Sequence, residues 1–563
     1  MENYIDGTVK FNSVMEAKTV ADYVVARLAD LGIQHSFGLP GDFAFNLNHA
    51  VCNNPLLSWV ECTNELNAAY AADGYARITG AAILSTTFAV GELSALNGVM
   101  GSKAENVLVF HLVGMPARTS WSSDKILHHT LADKEYMLFS KLSAAACCVS
   151  SIITPQNCVS EMDRVISKAF SKRQPVYIAI AMDDALLPIT PQAEELKSHI
   201  TFLKSNPTQL QNALKVIREA LHAAKNLIVL PGYNLLRYNL ADQALKLIKK
   251  LNCPFITMIM DKGVFDEATS NYFGMYSGAK TEPHILELIN NADLVLNLGE
   301  AIFSDMNTLK FSHTINPQKI LTVAPNFIRF KDQVFNHVYI EDVINNLLSR
   351  NLPNYSFDKK PYDIHFIEET AKERLDIDKL FYLINKYVLK SNDIVLIETG
   401  SSSIAASKLC LKPGTQFHSP ILWGSIGWAT PAAFGAAIAA PQHRVVLITG
   451  EGSHQVTINS VLEMVRYEIK PFIIIINNHG FTIERGLDKD ITWEFNDIAQ
   501  VNYTQLISTL SNNKWFTAAV KTNQEFIAAS QQATQADKAV YIEVILDKYD
   551  FTDHLQFIHD ELS

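Results

Sequence analysis

Positive charge is scarce in this 563-residue chain: 47 lysines and arginines stand against 58 aspartates and glutamates, a net charge of -11. That balance speaks against a nucleic-acid surface and against binding to an anionic membrane. Cysteine is also sparse. Seven cysteines show no metal-ligand spacing, and an odd number argues against a full disulfide set, so adjacent Cys147 and Cys148 read as two reduced core residues. The dinucleotide fingerprint G-x-G-x-x-G is missing. Gly232-Tyr233-Asn234 after the apolar run at 227–230 is a Rossmann-like turn without it, and gives only weak support for a nucleotide. A run of large aliphatic residues long enough for a membrane span is lacking too. The longest low-charge stretch, 421–441, is Gly, Ala and Pro rather than Leu and Val, which favours a close-packed helix over a span. The first 14 residues carry Glu2 and Asp6 and no apolar h-region, so no secretory leader and a cytoplasmic location are expected. No short-period repeat is visible.

What is present is an ordinary globular composition, 48% hydrophobic and 19% charged, in a chain long enough for about three domains. Strand-like apolar runs alternate with helical patterns in three successive blocks. The clearest runs are 108–113, 176–180, 227–230, 255–258, 294–298, 394–397, 445–448, 472–476 and 541–545. Near-continuous apolar runs are the mark of parallel strands buried on both faces. Polar, proline-containing text at 190–207 and 351–363 separates the blocks. The expectation is an α/β protein with mainly parallel sheets and domains at 1–190, 206–350 and 364–563.

The most informative stretch is Gly450-Glu451-Gly452-Ser453, followed after a helical interval at 456–469 by Asn477-Asn478-His479-Gly480. Each group follows a buried strand, so oxygen-donor side chains fall at the carboxyl ends of parallel strands, where such sheets bind ligands. A carboxylate, an amide and glycines that let backbone approach closely suit a hard divalent cation carrying phosphates. Further candidates stand with bland alternatives open. Asp42, in Gly38-Leu39-Pro40-Gly41-Asp42-Phe43, faces a cleft or caps a helix. Glu65 opens a helix rich in small residues, where it either acts chemically or complements the macrodipole. His128-His129 suit proton transfer near neutral pH, or form a solvated pair. Glu484 has a surface ion pair with Arg485 as its default.

These segments, with Asn64–Arg77, Gly91–Gly98, Trp423-Gly424-Ser425-Ile426-Gly427 and Asn477–Glu484, resemble the motifs of the pyruvate decarboxylase and indolepyruvate decarboxylase group of thiamine diphosphate enzymes. The match spans nearly the whole chain, in order. The resemblance implies a pyrimidine-binding first domain, a central domain and a diphosphate-binding last domain, and non-oxidative decarboxylation of a 2-oxo acid to an aldehyde. It implies that Glu65 hydrogen-bonds the pyrimidine and sets its tautomer, that Gly424 accepts from the amino group, and that Ile426 wedges under the cofactor beside Ser425. Glu451, Asn478 and the Gly480 carbonyl would hold Mg2+. Thr399, Ser401, Gly452, Ser453 and Ile483 would line the cofactor site. Asp42, His128, His129 and Glu484 would manage protons, and Met306, Ser403, Ile483 and Leu487 would border the substrate.

One letter departs from the family pattern: Glu451 stands where Asp is usual. The extra methylene must buckle or push the metal, so weaker Mg2+ binding or a turn toward Mn2+ or Ca2+ is expected. Small Ser403 and flexible Met306 suggest a pocket open to branched or aromatic 2-oxo acids. An acetolactate-synthase-like carboligase and a non-catalytic binding homologue are the rival readings. A dinucleotide-dependent oxidoreductase ranks behind both. By the same resemblance the cofactor lies between two subunits, making a homodimer the minimum and a homotetramer the expected state. The small-residue helices at 67–76 and 428–440 suit such packing, and segment 549–562 could close over the site or trail as a loose tail.

Overall fold

The computed structural model describes residues 17–189, 203–358 and 373–562. The N-terminal segment read for a leader, most of the first linker and the end of the second lie outside the described residues. Strands β1 (His35–Gly38), β2 (Ser58–Glu61), β3 (Ala82–Thr87), β4 (Val109–Met115), β5 (Val149–Ile153) and β6 (Val176–Ala181) form an all-parallel sheet in the order β2-β1-β3-β4-β6-β5. The middle block gives β7 (Leu227–Pro231), β8 (Phe255–Thr257), β9 (Tyr272–Met275), β10 (Leu294–Leu298), β11 (Ile320–Val323), β12 (Phe327–Phe330) and β13 (Gln333–Asn336). Their order is β13-β12-β11-β10-β7-β8-β9, parallel except for β12, which runs antiparallel to both β11 and β13. The last block gives β14 (Ile394–Ile397), β15 (Gln416–His418), β16 (Val445–Gly450), β17 (Phe472–Asn477), β18 (Phe516–Val520) and β19 (Val540–Ile545), all parallel, in the order β15-β14-β16-β17-β19-β18. Relabelled from one, the first and third sheets have the same strand order, a repeat that no similarity of letters announced.

In that order the chain reverses direction across the sheet between β1 and β3, and again between β14 and β16. At such a switch point the loops leaving adjacent strands part, and a crevice opens at the carboxyl ends. Glu398-Thr399 follows β14 and Glu451 follows β16; Gly41-Asp42 follows β1 and Gly91-Glu92 follows β3. The first sheet thus presents Asp42 at its switch point, and the third presents Thr399 and Glu451.

The chain divides into two compact units, one holding residues up to 202 with 430–442 and 457–469, the other holding 203–429, 443–456 and 470–563. In the first unit, helix Glu65–Thr79 packs on helix Ala429–Ala439 so closely that a Cβ on Gly74 would run into the carbonyl of Ala432, and one on Gly435 into the carbonyl of Ala71. The small-residue helices expected to join subunits therefore pack on each other within one chain. The apolar stretch at 421–441 contributes only this 11-residue helix, and among the described residues no helix is long and apolar enough to cross a membrane. The helical interval expected at 456–469 is two helices, Glu451–Thr457 and Ser460–Arg466, broken at 458–459. Asn459 is spent there on the amide of Asn67, and Glu463 accepts from the backbone and hydroxyl of Thr63 (2.6 and 2.9 Å).

Candidate active site

In the second unit, helix Glu451–Thr457 starts directly at the end of β16. The Glu451 side chain is buried, its Oε1 accepts the Gly480 N–H at 2.7 Å, and its Oε2 is buried with no protein partner. Burial pushes its carboxyl up to about 7, against the pull of the Gly480 and Asn478 backbone donors. The two asparagines after β17 divide their work. Asn477 donates to Glu543 at 2.7 Å and accepts from the His479 N–H, so it is a structural brace. Asn478, also buried, stands beside the Glu451 carboxylate. Behind them lies Arg485, with no exposure. It pairs with Asp497 and donates to the Asn496 carbonyl (3.1 Å), and its guanidinium fills the space a Cβ on Gly480 would need. The default ion pair between Glu484 and Arg485 is therefore absent, and Glu484 is exposed.

Glu398, at the end of β14, is fully buried and accepts from three backbone N–H groups: Thr399 and Ala429 at 3.0 Å each, and Gly427. Its carboxyl is raised to about 7 by burial. This clamp fixes the loop 423–427 against the Thr399-Gly400 turn, where Gly400 has φ +98° and Gly424 φ +64°. Thr399 Oγ1 lies 3.8 Å from the position a Gly424 Cβ would take, Ile483 lies 3.5 Å from that of Gly400, and Ser401 Oγ is buried without a partner. In the same loop Trp423 and Ile426 expose their apolar side chains, 40% and 38%, while Ser425 is half-buried. Gly452 is required for a reason the letters did not reveal: a Cβ there would strike the Phe481 ring. Ser453 is buried beside it. Met306 and Ser403 border one cavity of about 30 Å³ with Ile421 and His554. Leu487, half-buried on helix Thr482–Leu487, does not line it.

The first unit carries the other group. Asp42 caps nothing; its Oδ2 meets His128 Nε2 at 3.0 Å. His128 stacks on Phe43 (4.7 Å, 14°) and meets His129 edge-on at 4.5 Å. His129 Nδ1 is buried without a partner, and burial followed by the neighbouring His128 holds its pKa below the ordinary value. One ligand atom from each of Asp42, His128 and His129 lies within 4.8 Å of the others. Asn64 caps the helix that Glu65 opens, accepting from Asn67 N at 2.8 Å. Glu65 Oε1 lies 3.2 Å from the Cβ position of Gly91, and burial raises its carboxyl pKa. Ala89, just before, is held at φ +57° with its N–H given to Glu92 at 2.9 Å. Sequence reasoning missed Glu92, Glu398 and Arg485, because their partners are backbone groups or distant loop residues.

Three family models match in chain order: thiamine pyrophosphate enzyme N-terminal TPP binding domain at 18–137, central domain at 214–350, and C-terminal TPP binding domain at 398–544. Along 553 residues the chain is 33% identical to a pyruvate decarboxylase of Kluyveromyces marxianus, covering 96% of this chain and 97% of that protein. The chain belongs to the thiamine diphosphate-dependent 2-oxo acid decarboxylase family. It is also 32% identical to pyruvate decarboxylase isozyme 1 of Saccharomyces cerevisiae (96% and 98% covered) and 32% to an alpha-keto-acid decarboxylase of Mycobacterium leprae (94% and 93%). Its fold matches the thiamine diphosphate-dependent 4-hydroxybenzoylformate decarboxylase of Rhodococcus jostii RHA1, with a TM-score of 0.75 at 21% identity over 95% of this chain and 100% of that one.

The residues of this family member suit the coenzyme's diphosphate and a cation. A buried carboxylate oxygen without a partner is costly unless something positive meets it. Glu451 Oε2 is such an atom, next to the amide of Asn478 and the turn at Gly480.

Proposed function

We propose that the protein decarboxylates a 2-oxo acid, pyruvate or a larger one, to an aldehyde and CO2, using thiamine diphosphate with Mg2+. When bound, the coenzyme supplies an electron sink for the acyl carbon, which an unaided 2-oxo acid lacks. The chain's own residues do the rest. Glu65, whose raised pKa favours the protonated carboxyl, would hold a proton against the pyrimidine. Glu451, Asn478 and the Gly480 carbonyl would hold the cation. Gly424, Ser425 and Ile426 would meet the cofactor's other end, with Thr399, Ser401, Gly452, Ser453 and Ile483 around it.

The observation that carries decarboxylation is the Asp42–His128–His129 cluster. Release of an aldehyde requires a proton at the acyl carbon, whereas carboligation puts a second carbon there. A group of two imidazoles, one with a lowered pKa, and a carboxylate is equipped to move that proton, with Glu484 as a further donor. The test supplies apoprotein with thiamine diphosphate, Mg2+ and a panel of 2-oxo acids, and follows aldehyde through alcohol dehydrogenase. Glu65→Gln should lower kcat at least about a hundredfold. Acetolactate or acetoin as main product, or cofactor binding without turnover, would overturn the reading.

The finer points belong to the same proposal. Glu451 keeps the charge of the usual Asp but reaches Gly480 N, so Glu451→Asp should tighten Mg2+ binding and lower activity supported by Mn2+ or Ca2+ relative to Mg2+; identical titration curves would reject this. The three-domain division at 190, 206, 350 and 364 is retained. A homodimer, and a tetramer built from it, would pair Glu65 of one chain with the Gly424 loop of another. The exposed Leu422, Trp423 and Ile426 side chains of that loop support this. Mixing inactive Glu65→Gln and Glu451→Ala chains should then restore part of the activity. All seven cysteines are free, which supports a reducing, cytoplasmic setting.

A further inference from the structure

The cavity bordered by Met306 and Ser403 is also lined by Ser277, Asn307, Ser407 and His554, polar residues that the proposed chemistry does not use. Ser403 Oγ is already committed, donating to the Gly400 carbonyl at 2.8 Å. The Asn307 amide is committed too, accepting from Met260 N (3.1 Å) and donating to the Ile302 carbonyl (2.6 Å). Ser407 and His554 are different: both residues border the cavity, and Ser407 Oγ and His554 Nδ1 are buried with no partner. Native proteins rarely leave such atoms unpaired. Two of them on one small space mark it as a place where a third hydrogen-bonding group belongs. A cavity of about 30 Å³ takes one water or one substituent of that size.

His554 comes from the C-terminal helix Asp553–Leu562, which is seated by Leu555 against Gly486 on the helix carrying Ile483 and Glu484. Gly400 links the cavity to the reaction site: its carbonyl takes the Ser403 hydroxyl, while its α-carbon faces Ile483. The imidazole is neutral at ordinary pH, since burial first and the Lys408 charge next bring its pKa down to about 4. A neutral imidazole nitrogen and a serine hydroxyl together can accept one hydrogen bond and donate another. An alcohol or phenol O–H matches both at once. A carboxylate would find no cation in the pair.

Resting on the decarboxylase reading above, the geometry points to a polar subsite formed by His554 and Ser407 that selects 2-oxo acids whose side chain ends in a hydroxyl group. The subsite discriminates because a substrate lacking the hydroxyl leaves both protein atoms unpaired or displaces the water that serves them.

The experiment compares kcat/KM for two matched pairs, 4-hydroxyphenylpyruvate against phenylpyruvate and 4-hydroxy-2-oxobutanoate against 2-oxobutanoate, in wild type, Ser407→Ala, His554→Leu and His554→Gln. In at least one pair the hydroxylated acid should be preferred by about tenfold. Ser407→Ala and His554→Leu should each bring that ratio toward one, and His554→Gln, which keeps a hydrogen-bonding group, should restore part of it. Because the readout is a ratio within one variant, a loss of folded protein cancels. Turnover of the plain acids with no preference for a hydroxyl, or a preference that survives both apolar variants, overturns the subsite and leaves a cavity for water only. Absence of turnover with every 2-oxo acid overturns the decarboxylase reading itself.

Discussion

Replacing Asp261 with Asn should change how stability depends on pH, in a direction fixed by the structure. Asp261 ends the short turn after β8 and has no exposed surface. Its Oδ1 accepts the Tyr233 N–H at 2.8 Å, tying the turn after β7 to the turn after β8, and its Oδ2 has no partner. Burial pushes its carboxyl from 3.8 up to about 8. A carboxyl raised in the folded state binds its proton more tightly there than in the unfolded chain. Its contribution is fully present below the unfolded value near 3.8, and is lost as pH rises through about 8. The slope inside that window is about 1.4 kcal/mol per pH unit, which comes to roughly 2 kcal/mol between pH 6 and pH 8. For a cooperative block of 150–250 residues this corresponds to roughly 4–8 °C in Tm. Differential scanning calorimetry on wild type and Asp261→Asn at both pH values isolates the effect. Other raised acids, such as Glu398 and Asp550 near 7, are common to both proteins and cancel. The variant should gain 4–8 °C on wild type between pH 6 and pH 8. A gap that moves by less than about 1 °C would refute the assignment of a buried, protonated acid at this turn.

Gly435→Ala places a methyl group against the Ala71 carbonyl, so the two helices must part; a loss of about 3 kcal/mol or more, seen as a lowered Tm, is expected, and an unchanged Tm would contradict the packing. Glu398→Gln turns an amide N–H toward backbone donors that the carboxylate now satisfies. The concentration of thiamine diphosphate needed for half-maximal activity should rise about tenfold while kcat changes less. A thiol reagent applied to native protein should label exposed Cys52 first, because burial pushes Cys148 and Cys253 up to about 11 and 12 and raises Cys62 and Cys147 further above the ordinary range. Rapid modification of Cys147 or Cys253 would show that their surroundings open in solution.

Much of this arrangement was legible in the letters where a local rule applies. A strand buried on both faces must be apolar throughout, so the runs before Glu451 and Asn477 could be read as β16 and β17, and the oxygen donors at their ends followed. What escaped was whatever depended on partners far along the chain. Nothing near Arg485 signals that its guanidinium turns inward to Asp497 instead of outward to Glu484. Asn477 and Asn478 are indistinguishable until Glu543 is seen to claim the first. Asp42 could have capped its own turn, and only the position of His128 shows that it does not. The break at 458–459 has the same origin, since Asn67 and Thr63, some 400 residues earlier, hold that segment. His554 is an unremarked letter in an amphipathic tail until the cavity beside it is found.

The close approach of the two small-residue helices has a reciprocal form: Gly74 meets Ala432 while Gly435 meets Ala71, each glycine three positions from the alanine of its own helix. Glu65–Thr79 follows the second strand of the first sheet, and Ala429–Ala439 follows the second strand of the third. The equivalence of the two sheets therefore extends beyond strand order to a mutual knob-and-notch between their corresponding helices. The two sheets differ in what they present: the first has Asp42 beside His128 and His129, the third the buried carboxylate of Glu451. A side chain on either glycine would be felt by both helices at once.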